Sequence, residues 1–412
     1  MLKLLLLFSS LLFSIQYLQA QAKVGTQLYP VLNGLKLGFI DAAGKQIVDF
    51  KYEVKQREEI QQMREGLIPY RKNKKWGFLN AKGNEIIPAD YDIVSGFNNG
   101  YCLVGKLKLG QTNPKYGSVF GVINNTGIEV VPIKYEEAQF SMHPKNKYFT
   151  YKAGRKIGFV HIPSGKDVIN NFSEILPFYE VANNIDQAPA KDAVTKKWGL
   201  INGQGEWLFD PKFEYVDHIG LVGTYQITGP DGQWALAQDD GSSASEIVDY
   251  NRVSTNEFAK FSNGRLVIKD DYKKYGFLDD TLGLIIPCKY TIASSFYGNI
   301  AITNEGGLTK SIGGFNTTTG GKWSLINKDG DIVAKLANLE EFRDFSEGLA
   351  AVKIGGLWGF LNEKGAVSIK PTFKEVPEPF INGLSLVSNL PTYSNKFGYI
   401  NKEGKVIKPL DK

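Results

Sequence analysis

Residues 345–373 read FSEGLAAVKIGGLWGFLNEKGAVSIKPTF, and this stretch contains the pattern that decides the fold. Residues 348–352 are small and apolar, which is typical of a strand buried on both faces. Trp358 and Phe360 share one face of the next strand, because side chains alternate along a strand. The turn at 362–365 ends in a glycine that can take the positive φ of a type I turn with a G1 bulge. The stretch therefore predicts a β-meander.

The same pattern recurs along the chain with an average spacing of 40 residues. A copy has an aromatic or apolar residue, usually a glycine, two apolar residues, usually Asn or Asp, and another glycine three or four positions later. A glycine at the second position leaves room for a neighbouring backbone or ring to approach the strand. The ten second positions are Gly38, Gly77, Gly121, Gly158, Gly199, Ala235, Gly276, Ser324, Gly359 and Gly398. Ten copies in phase indicate a tandem repeat array.

These repeats predict an all-β fold, because a lone hairpin of this size is marginal in water and must stack on its neighbours. A period near 40 residues with three or four short strands matches a blade of a β-propeller. Ten blades exceed the roughly four to eight of most propellers, so two smaller propellers or an open β-solenoid are alternatives. We expect a propeller-like array of about ten β-meander units over residues 23–412. Residues 53–63, EVKQREEIQQM, are predicted to form one short helix.

Residues 1–22 have the composition of a secretory signal peptide. Lys3 supplies the charge before a leucine-rich core, and the small residues Ala20 and Ala22 offer two cleavage positions. The apolar part is short and interrupted by serines, and no cysteine is available for a lipid anchor. We therefore expect an exported chain without a stable membrane anchor, located in the periplasm, on the cell surface or in the medium.

Charge and cysteine content exclude several classes of protein. The formal net charge is +5 with basic and acidic residues interspersed, which is too weak and diffuse for a nucleic-acid footprint. Cys102 and Cys288 are too few for a disulfide framework, and free buried thiols are expected.

A search for catalytic or metal-binding patterns finds none with the required spacing. His143, His161 and His218 are scattered and form no metal-ligand motif. Residues 313–322, GGFNTTTGGK, resemble a phosphate-binding loop, but Trp323 stands where Ser or Thr is needed. The sequence therefore predicts a protein that is not an enzyme and that uses no cofactor or metal. A hydrolase with a site assembled across repeats is the less favoured alternative.

The repeats differ in length mainly in the connection before the strand that carries the Trp-Gly motif. It is short at 353–357, and its predicted counterparts are 105–119, 182–197, 303–322 and 388–396. Insertions at one structural position project from one side of a stacked array, which is often the binding face. The loop aromatics Tyr116, Phe315 and Tyr393 are candidate binding residues. Long surface loops also cost little, so loops without a role are the alternative.

The repeated cores Lys-Trp-Gly-Phe-Leu-Asn and Trp-Gly-Phe-Leu-Asn resemble the bacterial WG (KWG) repeat family over residues 28–410. The resemblance implies a β-rich, often exported repeat protein with an interaction role, and it brings no catalytic residues. Six motif residues are predicted to be packing positions: Trp76, Gly77, Trp198, Gly199, Trp358 and Gly359. Units in which Leu37, Ile157, Ala235 or Ser324 departs from the motif are expected to pack less regularly.

The sequence thus predicts a non-catalytic exported scaffold that binds another protein through loops on one face. A module that binds glycans or cell wall is the alternative, because aromatic side chains in the loops could stack on sugar rings.

Overall fold

The computed structural model describes residues 27–54, 60–111, 117–140, 147–153, 156–181, 185–218, 224–228, 234–238, 246–248, 261–270, 272–312, 315–388 and 398–408. Over these ranges the chain folds into short antiparallel meanders that follow one another in sequence. We number the units by their motif positions, from unit 1 at Gly38 to unit 10 at Gly398. The predicted all-β class and the tandem repeat are confirmed.

Units 1 to 5 occupy the first half of the chain. Their strands are β1 (Tyr29–Asn33), β2 (Lys36–Ile40) and β3 (Gln46–Glu53) in unit 1; β4 (Leu67–Lys72), β5 (Lys75–Asn80) and β6 (Glu85–Tyr91) in unit 2; β7 (Ile93–Val94), β8 (Tyr101–Leu107), β9 (Ser118–Asn124) and β10 (Glu129–Phe140) in unit 3; β11 (Tyr148–Ala153), β12 (Lys156–His161) and β13 (Lys166–Ile175) in unit 4; and β14 (Tyr179–Val181), β15 (Ile185–Asp192), β16 (Trp198–Asn202) and β17 (Trp207–Phe213) in unit 5. The long strands β10 and β13 each pair with strands of two successive units, so units 3, 4 and 5 share one sheet.

Units 6 to 10 occupy the second half. Their strands are β18 (Tyr215–His218), β19 (Thr224–Thr228), β20 (Trp234–Gln238) and β21 (Glu246–Val248) in unit 6; β22 (Phe261–Ser262), β23 (Arg265–Lys269), β24 (Tyr275–Leu278) and β25 (Leu284–Tyr290) in unit 7; β26 (Ile292–Ala293), β27 (Ala301–Glu305), β28 (Leu308–Ile312), β29 (Phe315–Thr319), β30 (Lys322–Ile326) and β31 (Ile332–Leu336) in unit 8; β32 (Leu339–Ser346), β33 (Leu349–Ile354), β34 (Leu357–Asn362) and β35 (Val367–Phe373) in unit 9; and β36 (Leu384–Val387), β37 (Gly398–Asn401) and β38 (Val406–Lys408) in unit 10. All ten motif positions lie on the strand before the outermost strand of their unit.

The turn chemistry predicted for 362–365 is confirmed. The side-chain oxygen of Asn362 accepts hydrogen bonds from the backbone N–H groups of Lys364 (3.0 Å) and Ala366 (3.1 Å). Gly365 has φ +78°, a conformation that glycine adopts without steric cost. A Cβ at Gly365 would also lie 2.7 Å from the Cβ of Ala334 in unit 8. The turn glycine therefore serves the packing between units as well as the turn.

The motif glycine is required by a bulge in the outermost strand. Trp358 pairs with Phe373 but Phe360 pairs with Ile369, so the register of β35 slips as it passes Gly359. A Cβ on Gly359 would meet the backbone of β35, including the Pro371 nitrogen at 2.7 Å. Equivalent backbone approaches occur at Gly77, Gly121, Gly199 and Gly276.

Neighbouring units pack through the same aromatic contact at successive junctions. Phe78 meets Phe97 of the next unit with ring centroids 4.9 Å apart and nearly perpendicular ring planes. The pairs Phe159–Phe178, Phe277–Phe296 and Phe360–Phe380 repeat this contact at 4.8, 4.9 and 4.9 Å. Edge-to-face pairs contribute about 0.5–1.5 kcal/mol beyond the burial of their area.

The first and last units pack on each other. Tyr29 and Tyr399 meet with ring centroids 5.6 Å apart, and both lie in one buried cluster with Val31, Ile40 and Leu384. The Tyr399 hydroxyl donates to the Pro30 carbonyl (3.0 Å), and the Tyr29 hydroxyl donates to the Asn382 carbonyl (2.6 Å).

A second contact between units 1 and 10 has the same form as a contact between units 10 and 9. A Cβ at the turn glycine Gly404 of unit 10 would lie 3.2 Å from the Ile369 side chain of unit 9. A Cβ at Gly44 of unit 1 would lie 3.1 Å from the Ile407 side chain of unit 10 in the same way. Contacts between neighbouring units are therefore continuous from unit 7 through units 10 and 1 to unit 6, which rules out free ends at units 1 and 10.

Two predictions of local structure are wrong. In the proposed helix at 53–63, Glu53 ends β3 and residues 60–63 are not helical, while 55–59 lie outside the described residues. Val54 and Met63, at the described ends of the segment, are buried in the core of units 1 and 2. The proposed loop 182–197 is largely the strand β15, with Ala188 and Ala190 fully buried against β16.

Candidate functional site

A groove with a volume of about 880 Å³ lies on unit 8. One wall is the end of β25 in unit 7, with Lys289 and Tyr290. Thr303 of β27, Ser324 of β30 and Lys335 of β31 also line the groove. The groove therefore lies between two units, beside the outermost strand of unit 8.

Beside the groove, β31 lacks the slip in register that β35 has at the motif position. Trp323, Ser324 and Leu325 pair with Leu336, Lys335 and Ala334 in unbroken register, so the backbone of β31 does not cross over the motif position. In unit 9 the bulged backbone covers Gly359, where a Cβ would not fit. Unit 8 instead has a serine side chain at this position and open space beside it.

A β-hairpin stands next to the groove, at the position of the variable loop. The insertion predicted at 303–322 forms β28 and β29, which pair from Leu308 with Thr319 to Ile312 with Phe315. Its last residues, Gly320, Gly321 and Lys322, line the groove. The sequence therefore located this part of the site, although it did not predict that the insertion folds into strands.

Asn304 fixes the base of the hairpin. This residue is fully buried, its amide nitrogen donates to the Gly320 carbonyl (3.0 Å), and its amide oxygen accepts from the Gly307 N–H (3.0 Å). Thr291 adds a hydrogen bond from its hydroxyl to the Gly307 carbonyl (3.2 Å). One side chain thus joins the two ends of the hairpin, which holds the hairpin in a defined place beside the groove.

We expect Gly321→Ala to loosen the hairpin base more than Gly320→Ala does. Both glycines have positive φ, at +74° and +69°, so both substitutions introduce backbone strain. A Cβ at Gly321 would also lie 2.7 Å from the Gly307 Cα, whereas one at Gly320 has nothing within 4 Å. The additional cost at Gly321 should be about 1–3 kcal/mol. Hydrogen exchange of residues 308–319 measures it, and equal exchange in the two variants would contradict the packing described.

Two of the three lysines that line the groove have no ion-pair partner among the described residues. Lys289 lies 3.9 Å from Glu305, and both side chains are about half exposed. The Glu340 carboxylate, at the far end of the groove, accepts the Gly356 N–H at 3.1 Å. Lys322 and Lys335 are exposed, and no carboxylate of the described residues forms an ion pair with either. The wall near β31 is therefore locally positive.

The aromatic residues of the groove contribute packing surface. Tyr290 is 3% exposed and Trp323 is 7% exposed, so little of either ring faces the groove. Trp323 packs edge-on against Phe342 of unit 9 at 5.9 Å. Neither ring offers the open face on which a sugar could stack.

The structure separates the three candidate binding aromatics. Phe315 begins β29 in the hairpin next to the groove. Tyr116 and Tyr393 lie outside the described residues. Of the six motif residues, Trp198 and Trp358 are buried and Trp76 is half-buried, with Gly77, Gly199 and Gly359 under the backbone of the next strand. Each of the three indoles is also covered by a cation, from Arg71, Lys191 or Arg343.

The histidines form no recognisable catalytic arrangement in the described part of the chain. His161 Nδ1 lies 2.8 Å from the Ser164 hydroxyl, within the turn that joins β12 to β13. The nearby Asp186 carboxylate accepts the Tyr148 hydroxyl (2.9 Å) and does not orient the imidazole. Burial lowers the pKa of His161. His218 lies in β18, and His143 lies outside the described residues.

Both cysteines are unbridged, as predicted. Cys102 is buried and its thiol donates to the Ser95 carbonyl (3.2 Å), while Cys288 is half-buried. Burial raises the pKa of Cys102 to about 12 and that of Cys288 to about 11. Both thiols are therefore protonated near neutral pH, and the thiolate is the nucleophilic form.

Within the described ranges, no cluster of three or more His, Cys, Asp or Glu side chains is arranged to hold a metal ion. The same residues include no helix with the length and apolar character needed to cross a membrane.

The sequence analysis missed the residues that border the groove outside the insertion, above all Lys289, Lys335 and Ser324. A signal for them was present, because Ser324 replaces the motif glycine and no proline follows in residues 332–336. Each of these two departures from the motif can be read from the sequence by itself. Their joint effect depends on how the outermost strand passes the motif position, which is a property of the pairing.

The family described as "WG containing repeat" matches this chain at residues 38–76, 76–107, 198–219, 275–308, 323–358 and 358–389. The groove lies within the segment 275–358, where two matches flank the end of the hairpin insertion. A search of functionally curated proteins finds no match.

Solved structures similar to this chain are distant from it. A crystal structure of the eukaryotic initiation factor has 12% identity and a TM-score of 0.48, with 85% of this chain and 96% of that chain covered. Sqt1 of Saccharomyces cerevisiae has 14% identity and a TM-score of 0.33, with 64% and 82% covered. BamB of Moraxella catarrhalis has 12% identity and a TM-score of 0.32, with 86% and 96% covered. These values do not assign a function.

Proposed function

We propose that this chain, which belongs to the family of WG-containing repeat proteins, is a non-catalytic exported scaffold that binds another protein at the groove of unit 8. The observation that supports the proposal most strongly is the pairing of an 880 Å³ groove with a firmly anchored hairpin insertion. The rest of unit 8 follows the repeat, whereas the groove and the hairpin insertion depart from it. Binding surfaces are commonly loops held by a rigid scaffold.

The chemistry of the groove favours a protein partner over a glycan. A partner chain can pair its acidic side chains with Lys322 and Lys335 and bury apolar side chains beside Ile332. The two described aromatic rings, Tyr290 and Trp323, are buried and leave no open platform for a sugar. The glycan alternative therefore rests on Tyr116 and Tyr393, which lie outside the described residues.

Export is part of the proposal and rests on residues 1–22. Their charged start, leucine-rich core and small residues at Ala20 and Ala22 are the features of a secretory signal peptide. The partner is accordingly a protein of the periplasm, the cell surface or the medium.

The test replaces residues 308–319 by a two-residue Asn-Gly turn and measures which exported proteins crosslink to the full chain. We expect the replacement to remove the specifically crosslinked partner, because it removes the hairpin wall beside the groove. The fold should survive, since the hairpin is a separate two-stranded sheet.

The control shortens another connection of the same kind, residues 108–111 after β8 in unit 3, which lie away from the groove. This variant should keep the partner. Crosslinking that is unchanged by loss of the hairpin, with both variants folded by circular dichroism, would contradict the proposal.

A further inference from the structure

We propose that the partner binds by strand addition, with an extended segment pairing along the free edge of β31. This inference rests on the proposed function and names how the groove of unit 8 is used. The expected segment has alternating apolar side chains and opposite charges at its two ends.

The edge of β31 lacks both the proline and the slip at the motif position, one or both of which occur in five other outermost strands. Proline removes an N–H group and is a common protection of an exposed edge, and bulges serve the same purpose. Four outermost strands that end their sheets, β6, β17, β25 and β35, contain Pro88, Pro211, Pro287 and Pro371. The strand β3 also ends its sheet and contains no proline, but its register slips at the motif glycine.

The strand β31 has neither a proline nor a slip at the motif position. It forms the end of its sheet, and in the described residues its only strand partner is β30. Residues 334–336 keep regular register with β30, and the one slip in β31 lies at Val333, away from the motif position. An open edge of this kind is the surface that strand addition uses, because its backbone groups can pair with an incoming chain.

Side chains on β31 suit an apolar extended segment. Ile332 is 58% exposed and Val333, at the slip in register, is 50% exposed. Leu336, at the other end, is buried against unit 9. An added strand would cover the exposed β-branched side chains with side chains of its own through cross-strand pairs.

The charges along β31 link the polarity of the segment to the order of its charges. Exposed Asp329 and Asp331 precede the strand, whereas Lys335 ends it beside Lys322 and Lys289 at the groove. A complementary segment carries a basic residue near Asp331 and an acidic residue near Lys335. An antiparallel segment therefore begins with the acidic residue, and a parallel one begins with the basic residue.

The test uses two end-blocked seven-residue peptides and the full chain. Both have alternating valine and threonine in the middle; one begins with glutamate and ends with lysine, and the other has these two charges exchanged. We expect one polarity to bind in fluorescence anisotropy, and the other to bind at least about tenfold more weakly.

Backbone methylation of the better peptide distinguishes strand pairing from side-chain docking. Methyl groups on alternate nitrogens remove the N–H groups along one edge of the peptide and leave those along the other. We expect one methylation pattern to weaken binding at least about tenfold and the complementary pattern to change it less than about threefold. Equal effects of the two patterns, or no binding of either parent peptide up to about 1 mM, would overturn the inference.

A charge reversal on the protein supplies a matched pair of variants. Lys335→Glu should weaken the better peptide at least about tenfold, because its acidic end then faces a carboxylate. Lys370→Glu makes the same change at an exposed position of β35, an edge that contains Pro371, and should leave binding unchanged. The natural partner could still crosslink in a way that depends on the hairpin while the peptides show none of these effects. That combination would overturn strand addition and leave the scaffold proposal standing.

Discussion

Tyr399→Ala is expected to lower the free energy of unfolding by about 3–5 kcal/mol, as much as a substitution in the middle of the array. Tyr399 is 2% exposed, and its ring packs on Tyr29 while its hydroxyl donates to the Pro30 carbonyl. These contacts join unit 10 to unit 1. Truncation removes the ring and leaves a cavity between units 10 and 1. Urea unfolding, with hydrogen exchange of residues 29–33, measures the loss.

The control for this prediction is Phe360→Ala, at the corresponding motif position of unit 9. Phe360 is 1% exposed and packs on Phe380 of unit 10 with ring centroids 4.9 Å apart. If units 10 and 1 pack on each other as units 9 and 10 do, the two substitutions should lower the free energy of unfolding by similar amounts, because both remove a ring from a packed junction. A loss below about 1 kcal/mol for Tyr399→Ala alone would show that the ends separate readily in solution. Tyr399→Phe, which removes only the hydroxyl, should cost about 1 kcal/mol.

Gly359→Ala is expected to cost about 3 kcal/mol, at the upper end of the range for overpacking a core. The new methyl group would meet the carbonyl of Ile369 and would lie 2.7 Å from the Pro371 nitrogen. Both are backbone atoms of β35, so a side-chain rotation cannot relieve the contact and the strand itself must move. The change in the midpoint of urea unfolding measures the cost.

Ser324→Ala is the matched control for this substitution. Ser324 occupies the same position in unit 8, where β31 has no slip at the motif position and a Cβ is already accommodated. Loss of the Ser324 hydroxyl should change the free energy of unfolding by less than about 1 kcal/mol. Equal costs at the two positions would show that the bulge of β35 does not account for the motif glycine.

Much of the fold could be predicted from the sequence because its determinants are local. The alternation around Trp358 and Phe360 fixes which faces of β34 are buried, and Asn362 with Gly365 fixes the following turn. Each of these features involves residues a few positions apart. Repetition then strengthens the signal, since ten units repeat the same local choices in phase.

Other features could not be predicted because they depend on pairing between distant residues. The segment 182–197 contains the strand β15, but Pro189 and its small alanines do not resemble the apolar first strand of other units. Only the pairing with β16, from Gln187 with Asn202 to Lys191 with Trp198, identifies it as that strand. The hairpin at 308–319 is similar, because its threonines have β propensity but no apolar alternation.

The sequence by itself determined the repeating unit, its strands, its turns and the role of its second position. Only the tertiary structure decided that the ends meet, because Tyr29 and Tyr399 are 370 positions apart and nothing local distinguishes a closing junction from a free end. It also decided the site. In unit 8, Ser324 replaces the motif glycine of the stretch 345–373, and the outermost strand has no proline. The register of β31 therefore does not slip at the motif position, and the groove lies beside this strand. That outcome depends on how two strands pass each other, and the order of residues in either strand alone does not specify it.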